Sequence, residues 1–261
     1  MVERVTITIK KNVLRRIDSM VDGREIRNRS HAIENLLAKS MSAGLETALV
    51  MAGGAADKVM MPIAGRPALE HQIDMLRSHG INNIVVATNT DKIRQYFGNG
   101  RAYGVEMTYL TEDKPLGTAG AIGMMGGYTD GSFVMINADT LMDPNINEIY
   151  EFHKKQKKFA TVMLTTTENP SRFGVVKMRG NQILRFEEKP RTMADTSRLV
   201  NAGLCIFERH VCDLVPKRKI MIEELFNRLC RQEQLTGFVH DGMALDIGTK
   251  DGYERAVKEW R

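Results

Sequence analysis

The sequence has few of the features that mark membrane-spanning or disulfide-rich proteins. Its three cysteines, Cys205, Cys212 and Cys230, form no CxxC pair. This spacing disfavours a zinc site or a disulfide scaffold and favours a reducing, cytoplasmic location. No run of about 18 apolar residues occurs, so we expect no membrane-spanning helix. The charged, alternating N-terminus has no continuous apolar stretch, so we do not expect a signal peptide.

Several common catalytic signatures are also missing. The sequence contains no GxxxxGK[ST] segment, no GxSxG segment and no HExxH segment. A P-loop NTPase and an α/β-hydrolase with its nucleophile elbow are therefore excluded. The scattered histidines disfavour a zinc hydrolase. Any phosphate chemistry has to come from another arrangement of glycines, carboxylates and lysines.

The composition is that of a globular protein with an uneven charge distribution. Of 261 residues, 43% are hydrophobic and 26% are charged, which is enough to bury a core. The net charge is +5, and residues 1–42 alone hold nine Lys or Arg against five Asp or Glu. Such an asymmetry is typical of a segment that meets a polyanion, although a solvated charged surface has the same composition.

The first forty residues predict one strand followed by two helices. Residues 4–10 (RVTITIK) alternate between apolar and polar side chains with the period of a strand. Residues 13–21 place apolar side chains on one helical face, and Ser30 is a plausible N-cap of a second helix. A unit this small cannot bury a core alone, and its single strand has two unpaired edges. The pattern therefore predicts pairing with a second copy.

These residues resemble a ribbon-helix-helix DNA-binding domain of the Arc/MetJ type, and we predict such a domain over residues 1–43. In that family, two chains pair their strands into a ribbon that enters the major groove of DNA. The resemblance implies a homodimer or a higher even-numbered oligomer. It implies base contacts by Arg4, Thr6 and Thr8 and a phosphate contact at Arg29 and Ser30. A dimerisation arm without DNA binding is the alternative.

Beyond the short linker at residues 42–44, strands and helices alternate, which predicts a second, α/β domain over residues 46–261. Such alternation is typical of a mostly parallel sheet with helices on both faces. Predicted strands lie at 46–54, 81–88, 105–110, 132–139, 159–167, 173–190 and 199–207. Predicted helices lie at 71–80, 91–100, 118–125, 220–234 and 251–260.

Two carboxylates and two lysines are candidates for the chemistry. Asp139 ends the apolar segment FVMINAD, and Asp246 lies about a hundred residues later in LDIGT. Two such carboxylates suit a divalent cation that bridges phosphates, although either alone could be a helix cap or turn residue. Lys58 and Lys189 lie near prolines and could bind phosphate oxygens, although most lysines are simply solvated.

The motifs of residues 47–258 resemble those of sugar-1-phosphate nucleotidyltransferases, with mannose-1-phosphate guanylyltransferases and glucose-1-phosphate thymidylyltransferases as the nearest likeness. The motifs are LVMAGG, MPIAGRPALEHQIDML, PLGTAGAIG, VMINADTLMD, PSRFGVV, FEEKP, LVNAGL and LDIGTKDGYERA. The resemblance implies a Rossmann-like domain with a mostly parallel mixed sheet. It implies transfer of a nucleotide from an NTP to a sugar 1-phosphate, giving an NDP-sugar and pyrophosphate.

The resemblance also implies a role for each motif residue. The predicted nucleotide-binding residues are Ala52, Gly53, Gly54, Gly117 and Thr118. The predicted sugar- and phosphate-binding residues are Gly174, Glu188, Lys189 and Asn201. Asp139 and Asp246 are predicted to hold Mg²⁺, and together with Lys58 they are the predicted catalytic residues.

The sequence departs from the family pattern after Gly54. Only three residues separate Gly54 from Lys58, where the family carries a longer phosphate-binding loop with an arginine. Three hypotheses therefore stay open: a working nucleotidyltransferase with a DNA-binding domain, an NDP-sugar-sensing transcription regulator with little or no turnover, and a dimeric scaffold with neither activity.

Overall fold

The chain divides into two units, Met1–Gly44 and Leu45–Arg261. This division comes from a computed structural model, which describes residues 6–21, 26–34, 44–54, 56–110, 116–190 and 197–260. Within the described residues, no helix is long and apolar enough to cross a membrane.

The first unit contains two helices, α1 (Lys11–Asp18) and α2, which starts at residue 29 and is described to residue 34. The side-chain oxygen of Asn28 accepts a hydrogen bond from the backbone N–H of His31 at 2.9 Å. Asn28 is therefore the N-cap, and the prediction of Ser30 at that position is wrong, because the helix starts one residue before it. The first helix also ends earlier than predicted, at Asp18 rather than near Gly23.

The predicted ribbon strand is only partly covered by the described residues. Residues 6–10 have no strand pairing in the single chain, and residues 1–5 lie outside the described part. The side chains of Ile7 and Val13 are 55% and 43% exposed. A strand forms a ladder only with a partner strand. The exposed apolar side chains are compatible with pairing between two chains, and the two-chain ribbon stays a prediction.

A mixed sheet forms the centre of the second unit. Its strand order is β5-β4-β1-β6-β11-β8-β12-β10-β9. These strands are β1 (Thr47–Met51), β4 (Asn83–Ala87), β5 (Glu106–Leu110), β6 (Phe133–Asn137), β8 (Ala160–Thr166), β9 (Gly174–Arg179), β10 (Gln182–Glu188), β11 (Leu199–Phe207) and β12 (Leu235–Val239). Two small ladders pair β2 (Pro62–Ile63) with β3 (Arg66–Pro67) and β7 (Thr140–Met142) with β13 (Ala244–Asp246).

The strand directions correct the prediction of a mostly parallel sheet. The half formed by β5, β4, β1 and β6 is parallel, as the alternation of strands and helices predicts. In the other half, β11 runs antiparallel to β6 and β8, and β9 and β10 form an antiparallel hairpin. The predicted strand over residues 173–190 is this hairpin, which turns at Gly180.

Helices cover both faces of the sheet. They are α3 (Ala56–Val59), α4 (Ala68–Ser78), α5 (Asp91–Phe97), α6 (Gly120–Met124), α7 (Ile146–Gln156), α8 (Val211–Leu214), α9 (Ile222–Arg231) and α10 (Lys250–Glu259). Short 3₁₀ segments lie at Arg101–Tyr103, Met125–Gly127 and Pro170–Arg172. Side-chain oxygens of Thr90, Asn145 and Thr249 cap α5, α7 and α10.

The core lies on the two sides of this sheet. Along β1, Val50 belongs to a buried cluster that includes residues of α4, α5 and α7, whereas Leu49 belongs to a second cluster that includes residues of α6 and α9. This alternation follows from the two-residue period of a strand. Because both faces are covered by helices, β1 is apolar at nearly every position. The helices leave the carboxyl ends of β1, β4 and β6 uncovered. The cleft lies at these strand ends.

Candidate active site

A cleft of about 1860 Å³ opens at the carboxyl ends of the parallel strands. In open α/β sheets this edge is the usual place for ligands. The cleft brings together most of the predicted site residues, namely Gly53, Gly54, Lys58, Gly117, Thr118, Asp139, Gly174, Glu188, Lys189, Asn201 and Asp246. Ala52 is the exception: it is fully buried, its N–H donates to the carbonyl oxygen of Ala87, and it does not line the cleft.

Two strands bring Asp139 and Asp246 together. In the β7–β13 ladder, Asp246 is the register partner of Thr140, the residue that follows Asp139. The N–H of Ile247 donates to the carbonyl oxygen of Asp139 at 2.8 Å, which fixes the two segments further. The two carboxylates therefore lie side by side although they are far apart in the sequence.

Gly248 leaves space open between these carboxylates. A Cβ atom at this position would lie 2.8 Å from Oδ1 of Asp246 and 3.2 Å from Oδ2 of Asp139. Burial raises the pKa of Asp139, and the negative charge of Asp246 raises it further, while Lys58 and Lys189 act in the opposite direction. Two carboxylates that face one small volume repel each other unless a cation lies between them.

The donor set fits a divalent cation such as magnesium. Asp139 and Asp246 offer hard carboxylate oxygens beside the open space at Gly248. Magnesium commonly takes one or two protein carboxylates and fills its other positions with phosphate oxygens and water. No cluster of three or more potential ligands occurs among the residues that the structure describes, so two carboxylates would be the protein's contribution.

Basic side chains surround the two carboxylates. The ammonium group of Lys58 donates a hydrogen bond to the carbonyl oxygen of Gly248. Arg172 lies with Nη2 at 3.5 Å from Oδ2 of Asp246, and its side chain is about half exposed to the cleft. Arg172 was not among the predicted site residues, although it lies inside the PSRFGVV motif. Lysine and arginine at this place would neutralise phosphate charge.

Gln72 supports the turn that carries Asp139. Its side-chain amide donates to the carbonyl oxygens of Asn137 at 3.3 Å, Ala138 at 3.1 Å and Thr140. The residue is 1% exposed, so these contacts are shielded from water. In the sequence, the sign of this role is only that a polar residue lies on the apolar face of a helix.

The nucleotide side of the cleft is lined by backbone. Gly117 has a φ of +79°, and a Cβ there would lie 2.4 Å from the carbonyl oxygen of Ile220, so only glycine fits. The hydroxyl oxygen of Thr118 accepts a hydrogen bond from the N–H of Ile222 at 2.9 Å. Thr118 therefore also holds the start of α9, a role that the resemblance did not imply.

The sugar side is formed by the β9–β10 hairpin and β11. Register places Glu188 opposite Gly174. Burial raises the pKa of Glu188, although the charge of Lys189 opposes this. Lys189 has a φ of +47°, which is unusual for a residue with a side chain. Asn201 accepts a hydrogen bond from the N–H of Gly203 at 2.9 Å, in the irregular part of β11.

The predicted DNA-contacting residues lie in the first unit. Thr6 and Thr8 are exposed, and Arg4 lies outside the described residues. Arg29 forms a two-pronged ion pair with Asp18, with Nε to Oδ1 at 2.6 Å and Nη2 to Oδ2 at 2.9 Å. Its guanidinium is therefore engaged within the chain, while Ser30 lies in the first turn of α2.

Comparison with protein families matches the chain to one family. The family described as "Nucleotidyl transferase" matches residues 47–261. Its match begins at β1 and includes every residue that lines the cleft.

Two curated relatives are mannose-1-phosphate guanylyltransferases. The enzyme of Yarrowia lipolytica is 33% identical over 203 residues, covering 73% of this chain and 54% of the relative. The enzyme of Mycobacterium tuberculosis is 30% identical over 208 residues, covering 77% of this chain and 57% of the relative. The chain thus spans a little more than half the length of the curated relatives it matches.

A solved structure shares the fold. A Bacillus anthracis protein assigned to the glucose-1-phosphate thymidylyltransferases, crystallised with sucrose, superimposes with a TM-score of 0.73 at 24% identity. The match covers 81% of this chain and 94% of the other. This likeness establishes the mixed α/β architecture of the second unit.

Proposed function

The chain belongs to the nucleotidyl transferase family, and from this premise we propose that it transfers a nucleotide from an NTP to a sugar 1-phosphate. The observation that carries the proposal is the pair of carboxylates, Asp139 and Asp246, facing one open volume in a cleft lined with lysines. Catalysis is favoured over the alternative of a sensor without turnover because the curated relatives are named for a transfer reaction.

The reaction is an in-line displacement at phosphorus. A phosphate oxygen of the sugar 1-phosphate forms a bond to the α-phosphorus of the NTP, and the bond to the bridging oxygen of the β-phosphate breaks. The electron pair of that bond leaves with pyrophosphate, and the product is an NDP-sugar. The protein acts mainly by positioning the two substrates and by neutralising charge.

The residues of the cleft have different roles in this reaction. Lys58 contacts the phosphates of the reacting pair, next to the backbone of Gly248. Glu188 and Lys189 bind the sugar and its phosphate, and Asn201 contributes from β11. Gly53, Gly54 and Gly117 line the nucleotide. Close approach of a base or phosphate to these glycines is possible because no side chain intervenes.

Asp139 and Asp246 would hold a magnesium ion. When bound, it neutralises phosphate charge and orients the phosphate oxygens. The two carboxylates are kept in place by the β7–β13 ladder and by the contacts of Gln72.

Mannose 1-phosphate and GTP are the first substrates to test, because the curated relatives are named for this reaction. We expect magnesium-dependent release of pyrophosphate, measured together with formation of GDP-mannose by chromatography. A panel of other NTPs and hexose 1-phosphates determines the specificity. No pyrophosphate release from any pair would overturn the proposal.

The aspartates provide the decisive variants. We expect Asp139→Asn and Asp246→Asn to lower kcat at least about a hundred-fold, since each removes an anionic oxygen ligand of the proposed magnesium ion. Asp143→Asn is the matched control, because Asp143 is exposed on the same segment. Circular dichroism checks that the variants are folded. Equal activity in all three variants would place the chemistry elsewhere.

We also propose that the first unit pairs with a second copy and binds DNA. The exposed apolar side chains of Ile7 and Val13, together with the basic character of residues 1–42, support this proposal. The hydroxyls of Thr6 and Thr8 and the side chain of Arg4 would face the bases, and the start of α2 at Arg29 and Ser30 would lie near a phosphate. For Arg29 to reach that phosphate directly, its ion pair with Asp18 would have to break.

Light scattering and DNA binding test this second proposal in the full chain. We expect an even-numbered oligomer and an affinity for DNA from upstream of the chain's own gene that falls as salt rises. Thr6→Ala with Thr8→Ala should weaken sequence preference, and Thr108→Ala, exposed on β5 outside both clefts, is the control. A monomer, or no DNA affinity at low salt, would overturn it.

A cytoplasmic location stays a prediction from the three free cysteines.

A further inference from the structure

A second, smaller cleft of about 330 Å³ adjoins the active-site cleft. The two clefts share several lining residues, among them Gly53, Gly54 and Lys58, so they are neighbours. Lys92, from α5, lines only the smaller one. The smaller cleft therefore adds a second ammonium group close to that of Lys58.

An ion pair between two lining residues lies at this smaller cleft. The ammonium group of Lys92 donates a hydrogen bond to Oδ1 of Asp57, the residue before Lys58. The two side chains are 63% and 82% exposed, so both can be reached by a ligand. An ion pair this exposed contributes little to stability and can exchange partners readily.

The backbone beside the pair is open. A Cβ atom placed on Gly53 or Gly54 would meet nothing within 4 Å. Among the described residues, no acceptor binds the N–H group of either glycine. Two lysines with adjacent unoccupied N–H groups form a typical environment for phosphate oxygens.

We propose that Lys92 binds the β- and γ-phosphates of the NTP, which are also the pyrophosphate product, and that Asp57 is a counter-charge that competes with them. This inference rests on the proposed function. Asp57 alone would repel the phosphates, but its charge is matched by Lys92 when the site is empty. Pyrophosphate takes the place of the Asp57 carboxylate at Lys92 and lies between this lysine and Lys58.

This assignment explains how a cleft with so short a connection from Gly54 to Lys58 can hold a triphosphate. Only three residues lie between them, too few to fold over the terminal phosphates. A cation from a different element, α5, reaches the same space instead. Charge neutralisation is needed there because the leaving pyrophosphate gains negative charge as the bond breaks.

The reverse reaction gives a test in which two variants move in opposite directions. Pyrophosphate attacks GDP-mannose to give GTP and mannose 1-phosphate, and the KM for pyrophosphate is measured. We expect Lys92→Ala to raise this KM about ten-fold, the usual effect of a lost hydrogen bond to a charged group. We expect Asp57→Asn to lower it, since Lys92 is then free. Lys92→Arg should restore most of the affinity.

If the ion pair between Lys92 and Asp57 is only structural, a different result is expected. Both Lys92→Ala and Asp57→Asn would break it, so both would change the KM in the same direction or not at all. That outcome would overturn the inference. Lys155→Ala is the control, since Lys155 is exposed on α7 outside both clefts.

Calorimetry separates this inference from the proposed function. The full chain is titrated with inorganic pyrophosphate in the presence of magnesium, which needs no turnover. If the wild type turns over no sugar phosphate but binds pyrophosphate through Lys92, the inference survives and the proposed function fails. If the wild type is active and Lys92→Ala binds pyrophosphate unchanged, the inference fails alone.

Discussion

The side-chain amide of Gln72 donates a hydrogen bond to the carbonyl oxygen of Ala138 at 3.1 Å. Gln72 lies on α4, and Ala138 immediately precedes Asp139, so one helix supports the turn that carries a proposed metal ligand. The same amide contacts the carbonyls of Asn137 and Thr140. Gln72 is thus a positioning residue for Asp139.

Replacing Gln72 by Leu should therefore affect stability and turnover together. The change leaves buried carbonyl oxygens without a donor, which costs about 1–3 kcal/mol of unfolding free energy. We expect kcat to fall while the KM for sugar 1-phosphate stays close to that of the wild type. Chemical denaturation and steady-state kinetics measure the two effects. Gln95→Met, exposed on α5, is the control. An unchanged kcat would show that the turn holds its shape without Gln72.

Gly248→Ala should interfere with the metal site rather than with the backbone. The new methyl group would lie 2.8 Å from Oδ1 of Asp246 and 3.2 Å from Oδ2 of Asp139, in the space that a cation needs. We expect activity to fall at least about ten-fold and the magnesium concentration for half-maximal activity to rise. Gly127→Ala is the matched control, since a Cβ there meets nothing within 4 Å. If both variants keep wild-type magnesium dependence, the ion binds elsewhere.

Lys189 carries a charge with a proposed function and has an unfavourable backbone conformation. Its φ of +47° suits glycine better than a residue with a side chain. We expect Lys189→Gly to be at least as stable as the wild type, because relief of strain offsets the extra backbone entropy. The KM for sugar 1-phosphate should nevertheless rise about ten-fold, as a charged contact is lost. Lys189→Ala should share the higher KM without the gain in stability.

Thermal unfolding and kinetics distinguish these two effects of Lys189. Lys177→Ala, exposed on β9 of the same hairpin, is the control and should change neither. A normal KM in Lys189→Gly would remove this residue from the sugar-phosphate site.

Glu208 should make stability fall at acidic pH. The contacts of its carboxylate with His153 at 3.3 Å and Lys154 at 3.0 Å lower the pKa of Glu208 to about 2. Because this value lies below the ordinary 4.5, the carboxylate stabilises the fold above pH 4.5. The stabilisation is lost as the pH falls from 4.5 towards 2.

Glu208→Gln is the variant that tests this pH dependence. We expect it to lower the unfolding free energy by about 1 kcal/mol at pH 7, as expected for a lost charge-assisted contact. The difference from the wild type should shrink below pH 4.5. Urea titrations between pH 7 and pH 3 measure it, with Glu151→Gln, exposed on α7, as the control. A difference that stays constant with pH would contradict the assignment.

The linear sequence contained the information on local structure. The strands β1, β4 and β6 were predicted because buried parallel strands are nearly continuous apolar runs bounded by turns, and β5 was predicted from its alternating pattern. The ladder of β7 with β13 was not predicted, since each strand has three residues and its partner lies far away in the sequence. Strand β12 was missed because Thr236 and Gly237 interrupt its apolar run. The N-cap at Asn28 was missed because Ser30 is an equally good cap by residue type.

The order of the motif residues carried the resemblance to the family, and most of the residues predicted from that resemblance for the active site line the cleft. Only the tertiary structure decided which of them meet. The distance between Asp139 and Asp246, the support from Gln72 and the pairing of Lys92 with Asp57 all depend on contacts between segments that are remote in the chain. Such contacts depend on how helices and strands pack, which local residue patterns do not specify.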